Sequence, residues 1–202
     1  MAAKQKYVIT NETKVIQHAG RTITLHRICS CKSVTTAGGH EINTSELGGW
    51  IENESNLSQS GNCWVEKEAC VFGNAEVYEN AYVFGRAIIC DNAKVHGDAR
   101  VLGDVQVYGH ADVYGNAKLY CRAKVYGHAE VYDEADVGTD AKIYDHAKVH
   151  GNAEVYDNAQ IFENAEVRDG VKVYDNAKVR GDVVLQGDLK ANRNITFGNK
   201  SA

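Results

Sequence analysis

From Asn74 to Asn199 the pattern of apolar and polar positions repeats every six residues without a gap, giving twenty-one units such as NAEVYE, NAKVHG, HADVYG and NAKLYC. In every unit from Val77 to Leu185 the fourth residue is Val, Ile or Leu, and the second is Ala or, in a few, Val. The register reaches back through EACVFG and NCWVEK to WIENES. Apolar residues at positions two and four, separated by outward positions three and five, follow the two-residue period of a strand with one buried face. A helix needs spacings of three and four and is excluded. Positions six and one pair Gly or Asp with Asn, Asp or His, residues that suit tight corners. Each unit therefore predicts a very short strand and a corner. Alanine at position two lets the corner close, and the aliphatic residue at position four stacks on its copies in neighbouring coils.

The first fifty residues alternate differently. KYVIT, TKVIQ and TITLHRICS predict strands, with HAGR, His18 to Arg21, as a hairpin turn. The reading is a small β cap over residues 1–49, which also blocks end-to-end strand pairing, followed by a repetitive domain over residues 50–202. At the far end Leu189, Ile195 and Phe197 exceed the repeat norm in size, and they predict a cap on the open core, as solenoids require.

Units such as VYGNAE and VHGNAE resemble the hexapeptide-repeat family, whose units read aliphatic, any three, small, any. The resemblance covers about three quarters of the chain. It implies an all-β fold, a left-handed parallel β-helix shaped as a triangular prism with three units, or 18 residues, per coil. It implies about eight coils here, and a rod on the order of 38 Å long if strands stack ~4.8 Å apart. Many members are trimeric acyltransferases. The segment LGGWIENESNLSQSGNCWV, Leu47 to Val65, is similar to the junction in bacterial and phage proteins that carry an acyltransferase label. Members that use acyl-CoA typically build the cleft from a loop ejected from the prism and a C-terminal helix or extension. The repeats here run without such a loop.

Composition sets the surroundings. The chain of 202 residues is 44% hydrophobic and 24% charged, holds no apolar run long enough to span a bilayer, and begins without the apolar core of a secretory signal. The expectation is a cytoplasmic protein with no membrane partner. A net charge of −5 argues against duplex nucleic acid as a partner. Six scattered cysteines read as reduced thiols, since Cys29 and Cys31 have no second pair to complete a zinc site.

Stepping by eighteen places His110, His128 and His146 in one corner column whose other members are Asn or Asp. Asn, Asp and His are enriched in left-handed backbone, so the expectation is that these histidines serve the turn. Two chemical alternatives bear on these histidines. Carbonic anhydrases of the resembled family bind zinc through histidines whose close pair lies five residues apart; His146 and His150 are four apart, in the wrong phase, and no metal is assigned. In an acyltransferase using acetyl-CoA, one of His110, His128 and His146 would serve as general base, taking a proton from the acceptor hydroxyl or amine.

Charge columns separate the three faces. On the first, Glu76, Lys94, Asp112, Glu130, Lys148 and Glu166 place unlike charges mostly side by side, and on the second Lys118 adjoins Asp136 and Glu154 adjoins Lys172. Such ladders stabilise themselves. The third face, Ile88, Gln106, Lys124, Lys142, Gln160, Lys178 and Thr196, has no carboxylate. Beside it runs Cys90, Tyr108, Tyr126, Tyr144, Phe162 and Arg180. This aromatic and basic stripe predicts a ligand groove made by Tyr108, Lys124, Tyr126, His128, Lys142 and Tyr144, suited to a small anionic, nucleotide-like molecule or an acidic partner. The leading expectation is a non-catalytic binding or scaffolding β-helix, homotrimeric and without cofactor; the alternative is an acyl-CoA-dependent O- or N-acyltransferase.

Overall fold

Each six-residue unit forms a two-residue strand and a corner, as in Lys124–Val125, Glu130–Val131 and Asp136–Val137. The computed structural model describes residues 5–196. Among these, three units make one coil, because from Trp64 to Val173 each strand pairs in parallel with the strand eighteen residues on: Lys124 with Lys142, Glu130 with Lys148, Asp136 with Glu154. The result is an all-β parallel solenoid of about eight coils, with seven strands on the first face, eight on the second and eleven on the third, two of the eleven belonging to an N-terminal hairpin. The described residues contain no helix long and apolar enough to cross a membrane.

The core is the stack the repeats predict. Val107, Val125, Ile143 and Ile161 lie inside the third face, and Ala111, Ala129, Ala147 and Ala165 line the adjoining corner, all fully buried. Corner geometry assigns the left-handed conformation to position six, with φ of 73° at Gly109, 73° at Gly127 and 59° at Asp145. At Gly127 a Cβ would approach the Asp145 amide nitrogen to 2.8 Å, so the corner closes there against the next coil. The histidines at position one lie outside the left-handed region, contrary to expectation. The preceding residue already makes the turn, which leaves His110, His128 and His146 in ordinary backbone.

Outside the two-residue strand ladders, the coil-to-coil backbone hydrogen bonds run from each coil to the next. The N–H of a residue donates to the carbonyl seventeen positions later, as from Lys124 to Ala141 (2.9 Å) and Tyr126 to Ile143 (3.0 Å). Several carbonyls at the N-terminal end are met by side-chain donors. The fully buried Asn56, which ends a single 3-10 turn at Glu54–Asn56, donates through Nδ2 to Gly73 O (3.0 Å) and Ala75 O (2.8 Å). Its Oδ1 accepts from the Glu52 and Asn53 amides. The Tyr7 hydroxyl donates to Leu57 O at 2.7 Å. Lys6, also fully buried, donates through Nζ to Cys63 O (2.8 Å), Cys63 Sγ (2.9 Å) and Ser60 O (3.4 Å). Burial lowers the Lys6 pKa and raises that of Cys63.

The N-terminal segments KYVIT and TKVIQ prove to be one strand, β1 (Tyr7–His18), paired antiparallel with β2 (Arg21–Ser30). A register shift between Ile9 and Thr13 absorbs the polar residues that separate the two runs. Ala19 (φ 48°) and Gly20 (φ 75°) close the hairpin as a two-residue turn matched to strand twist. β2 then pairs antiparallel with β5 (Leu47–Ile51), the first third-face strand. Between them β3 (Val34–Thr35) and β4 (Glu41–Ile42) make a second small hairpin.

The long hairpin does more than cap the end. Tyr7 and Ile28 close the core, while Ile23 and Leu25 pack on the outward side chains Trp50, Cys70, Phe72 and Cys90, with Ile88 and Tyr108 at the margin. The N-terminal part of the third face is thus covered from within the chain. The far end also departs from the repeat: Val179 pairs with Ile195 and Arg180 with Thr196, so Thr196 does not fall beneath Lys178 as expected. The last corner is two residues shorter, and Asn194 Oδ1 instead accepts from the Lys178 amide at 3.1 Å. Of the three residues expected to cap the core, Ile195 packs against it, Leu189 is 50% exposed, and Phe197 lies outside the described residues.

The carbonyl end gives a sharp test. Asn56→Asp keeps the shape and the accepting oxygen but sets a second oxygen against Gly73 O and Ala75 O; chemical denaturation is expected to show a loss of about 3 kcal/mol or more.

Candidate functional site

The residues expected to form a site stand on the third face and its adjoining corner as two ladders and a groove. Tyr108, Tyr126, Tyr144 and Phe162 stack in sequence, with centroids 4.8, 4.9 and 4.9 Å apart and planes within 3°. The coil spacing dictates this, since each ring projects from the same position of successive coils. The rings cover one another's faces and leave no gap for a third flat ring between them. Their edges and hydroxyls remain for contact. Burial and the two neighbouring tyrosines push the Tyr126 hydroxyl up to about 12, so at neutral pH it is a donor.

Lys124 and Lys142 pair directly across adjacent strands, and neither makes an ion pair among the described residues. The nearest carboxylate in the adjoining corner, Asp140, is engaged by Arg122 at 2.6 Å. These four residues, with Asn158 and Gln160, line a shallow groove of about 310 Å³. The groove takes in both predicted lysines and none of the tyrosines, although the Tyr144 hydroxyl reaches its edge by donating to Gln160 Oε1 at 3.4 Å. Elsewhere the expected charge ladders form in part: Lys148 to Glu130 (3.0 Å), Lys172 to Glu154 (2.7 Å) and Lys118 to Asp136 (3.8 Å), while among the described residues Lys94 makes no ion pair and Asp112 meets His96 instead.

His110, His128 and His146 stack on one another, 4.8 and 5.0 Å between centroids, and all three are exposed. His150 belongs to a different column. It lies on Tyr132 at 4.5 Å, with Nε2 3.1 Å from Glu166 and Nδ1 3.7 Å from Asp133. His96 repeats this arrangement against Tyr78, Tyr114, Asp112 and Glu79. His146 and His150 thus stand in separate stacks, each with its own ring neighbours.

Two features escaped the sequence pattern. On the second face a largely apolar groove of about 580 Å³ runs over Phe84, Leu102 and Tyr120. At its head the buried Glu66 accepts from the Tyr82 hydroxyl, with His40 Nε2 at 3.7 Å. A cavity of about 490 Å³ lies where the hairpin tip meets the prism, walled by His18, Arg21, Glu52, Phe72 and Asp91 among others. Both depend on the two N-terminal hairpins folding against the repeats, which no period in the sequence reports. The six cysteines are all free, as composition suggests. In comparisons with known proteins, the chain matches no family model and no curated protein.

If the histidine column has no part in folding, His146→Asn is expected to change stability by no more than about 0.5 kcal/mol. Tyr126→Ala, which removes two ring contacts and leaves a gap in the ladder, is expected to cost about 1–3 kcal/mol. Thermal or chemical denaturation of the two variants side by side checks both.

Proposed function

We propose that this chain is a non-catalytic binding or scaffolding β-helix that assembles as a homotrimer and holds a small anionic ligand, or an acidic partner surface, on its third face. The observation that carries the proposal is the direct pairing of Lys124 with Lys142 in a groove whose only carboxylate is taken by Arg122. Like charges on neighbouring strands cost stability until something neutralises them. An anion in the groove would do so, with Asn158 and Gln160 offering polar contacts and the Tyr144 hydroxyl at the margin.

The closed tyrosine ladder narrows the ligand: a nucleotide would bind through its phosphates, with its base lying along ring edges and not between rings. Several features weigh against catalysis. The corner histidines are near-equivalent copies whose rings face one another, and no orienting carboxylate singles one out. The resemblance to acyltransferases stays an alternative, and acetyl-CoA is the compound that distinguishes it. Trimerisation would set the exposed remainder of the tyrosine ladder, from Tyr126 onward, along a groove between prisms.

Two measurements test this reading. Light scattering is expected to give three times the chain mass of 22.1 kDa; a monomer overturns the assembly. Calorimetry with inorganic phosphate, nucleotides, cyclic nucleotides and acetyl-CoA is expected to show salt-sensitive binding of at least one anion. Lys124→Glu should weaken it at least about tenfold, the loss of a charge-assisted contact of ~1.5 kcal/mol or more. If no anion binds the parent protein, or if Lys124→Glu binds as well as the parent, the groove is not the site.

A further inference from the structure

The hairpin tip brings His18 to the second coil, seventy-two residues away in sequence, with Nε2 3.8 Å from Cys90 Sγ. A donor atom from each of His18, Cys90 and Asp91 lies within 4.8 Å of the others. From this geometry we propose that His18, Cys90 and Asp91 form a site for a divalent cation of the zinc class, with one coordination position open to the cavity. Zn–N and Zn–S bonds of about 2.0–2.1 and 2.3 Å in a tetrahedral arrangement set nitrogen and sulfur about 3.6 Å apart, close to the spacing already present. Nitrogen, sulfur and carboxylate donors together select zinc or cobalt over magnesium or calcium.

The surroundings fix each donor. His18 pairs with Arg21 at the end of the hairpin ladder, and its ring packs edge-on against Phe72 at 5.0 Å. Asp91 sits at a left-handed corner position (φ 60°), and its Oδ2 accepts from the Gly109 amide at 3.0 Å. That bond orients the carboxylate and leaves its other oxygen for the ion, the kind of outer support that metal ligands use. Cys90 is 1% exposed, and among the described residues the His18 imidazole is its one polar side-chain neighbour at hydrogen-bonding range. The cavity of about 490 Å³ is walled by His18 and Asp91 of the cluster, which supplies room for water or an exchangeable ligand at the fourth position. Three protein ligands and one open position distinguish such a site from a closed structural one. Arg21 and Glu52 also line the cavity and offset each other in charge. A bound ion would also join hairpin to prism, so it would stabilise the fold as well as present a reactive position. This inference is independent of the lysine groove and stands or falls separately.

The test uses the full chain, stripped with a chelator and titrated with Co²⁺ as a spectroscopic stand-in for zinc. Expected are one Co²⁺ per chain, a thiolate-to-cobalt charge-transfer band, and a higher thermal midpoint with Zn²⁺. Cys90→Ser and His18→Asn should abolish the band, and Asp91→Asn should weaken binding at least about tenfold. The triple change Cys29→Ser, Cys31→Ser and Cys121→Ser should leave the band intact. Circular dichroism checks that each variant folds. If Cys90→Ser does not, His18→Asn at the hairpin tip carries the test. Absence of the band in the parent, or its survival in His18→Asn, overturns the site.

Discussion

One hydrogen bond, repeated, governs this molecule: an amide on one coil donating to the carbonyl seventeen residues further on. It fixes eighteen residues per turn, so every residue lies over its own equivalent. At the N-terminal end, backbone carbonyls meet side-chain donors, Lys6 Nζ, the Tyr7 hydroxyl and Asn56 Nδ2. A buried lysine is costly on its own, and here its ammonium is met by Cys63 O, Cys63 Sγ and Ser60 O.

Stacking equals upon equals turns small sequence choices into extended surfaces. Tyrosine at one position becomes a ladder of rings, and alternating Lys and Glu becomes a string of ion pairs such as Lys148 with Glu130. The same rule exposes the exception. Where lysine falls upon lysine, as at 124 and 142, the lattice of the fold holds two charges together that gain nothing from each other.

What the repeat wrote could be read from it. The three faces, the composition of each column and the buried Val and Ala rows are direct consequences of the six-residue period, and the pairings of Lys124, Glu130 and Asp136 follow it. The candidate lysines and tyrosines were legible for the same reason. Features outside the period were not. The curl of β1 and β2 over Phe72 and Cys90 depends on twist and on side chains meeting across some seventy residues, so His18 gave no sign of its neighbours. The assignment of left-handed backbone to Gly109, Gly127 and Asp145 instead of the following histidines needs the corner's conformation, which two adjacent turn-forming residues leave ambiguous.

The final coil, where Val179 meets Ile195 two residues early, bears on how such a chain can change length over generations. A gain or loss of one whole coil would keep every column in phase. A gain or loss of one or two residues in the middle would rotate all later side chains out of their columns, setting core valines toward water and charges inward. The contraction is tolerated where it is because few coils remain to be displaced. Insertions and deletions in this lineage should therefore arrive in multiples of the coil, with irregular lengths confined to the ends.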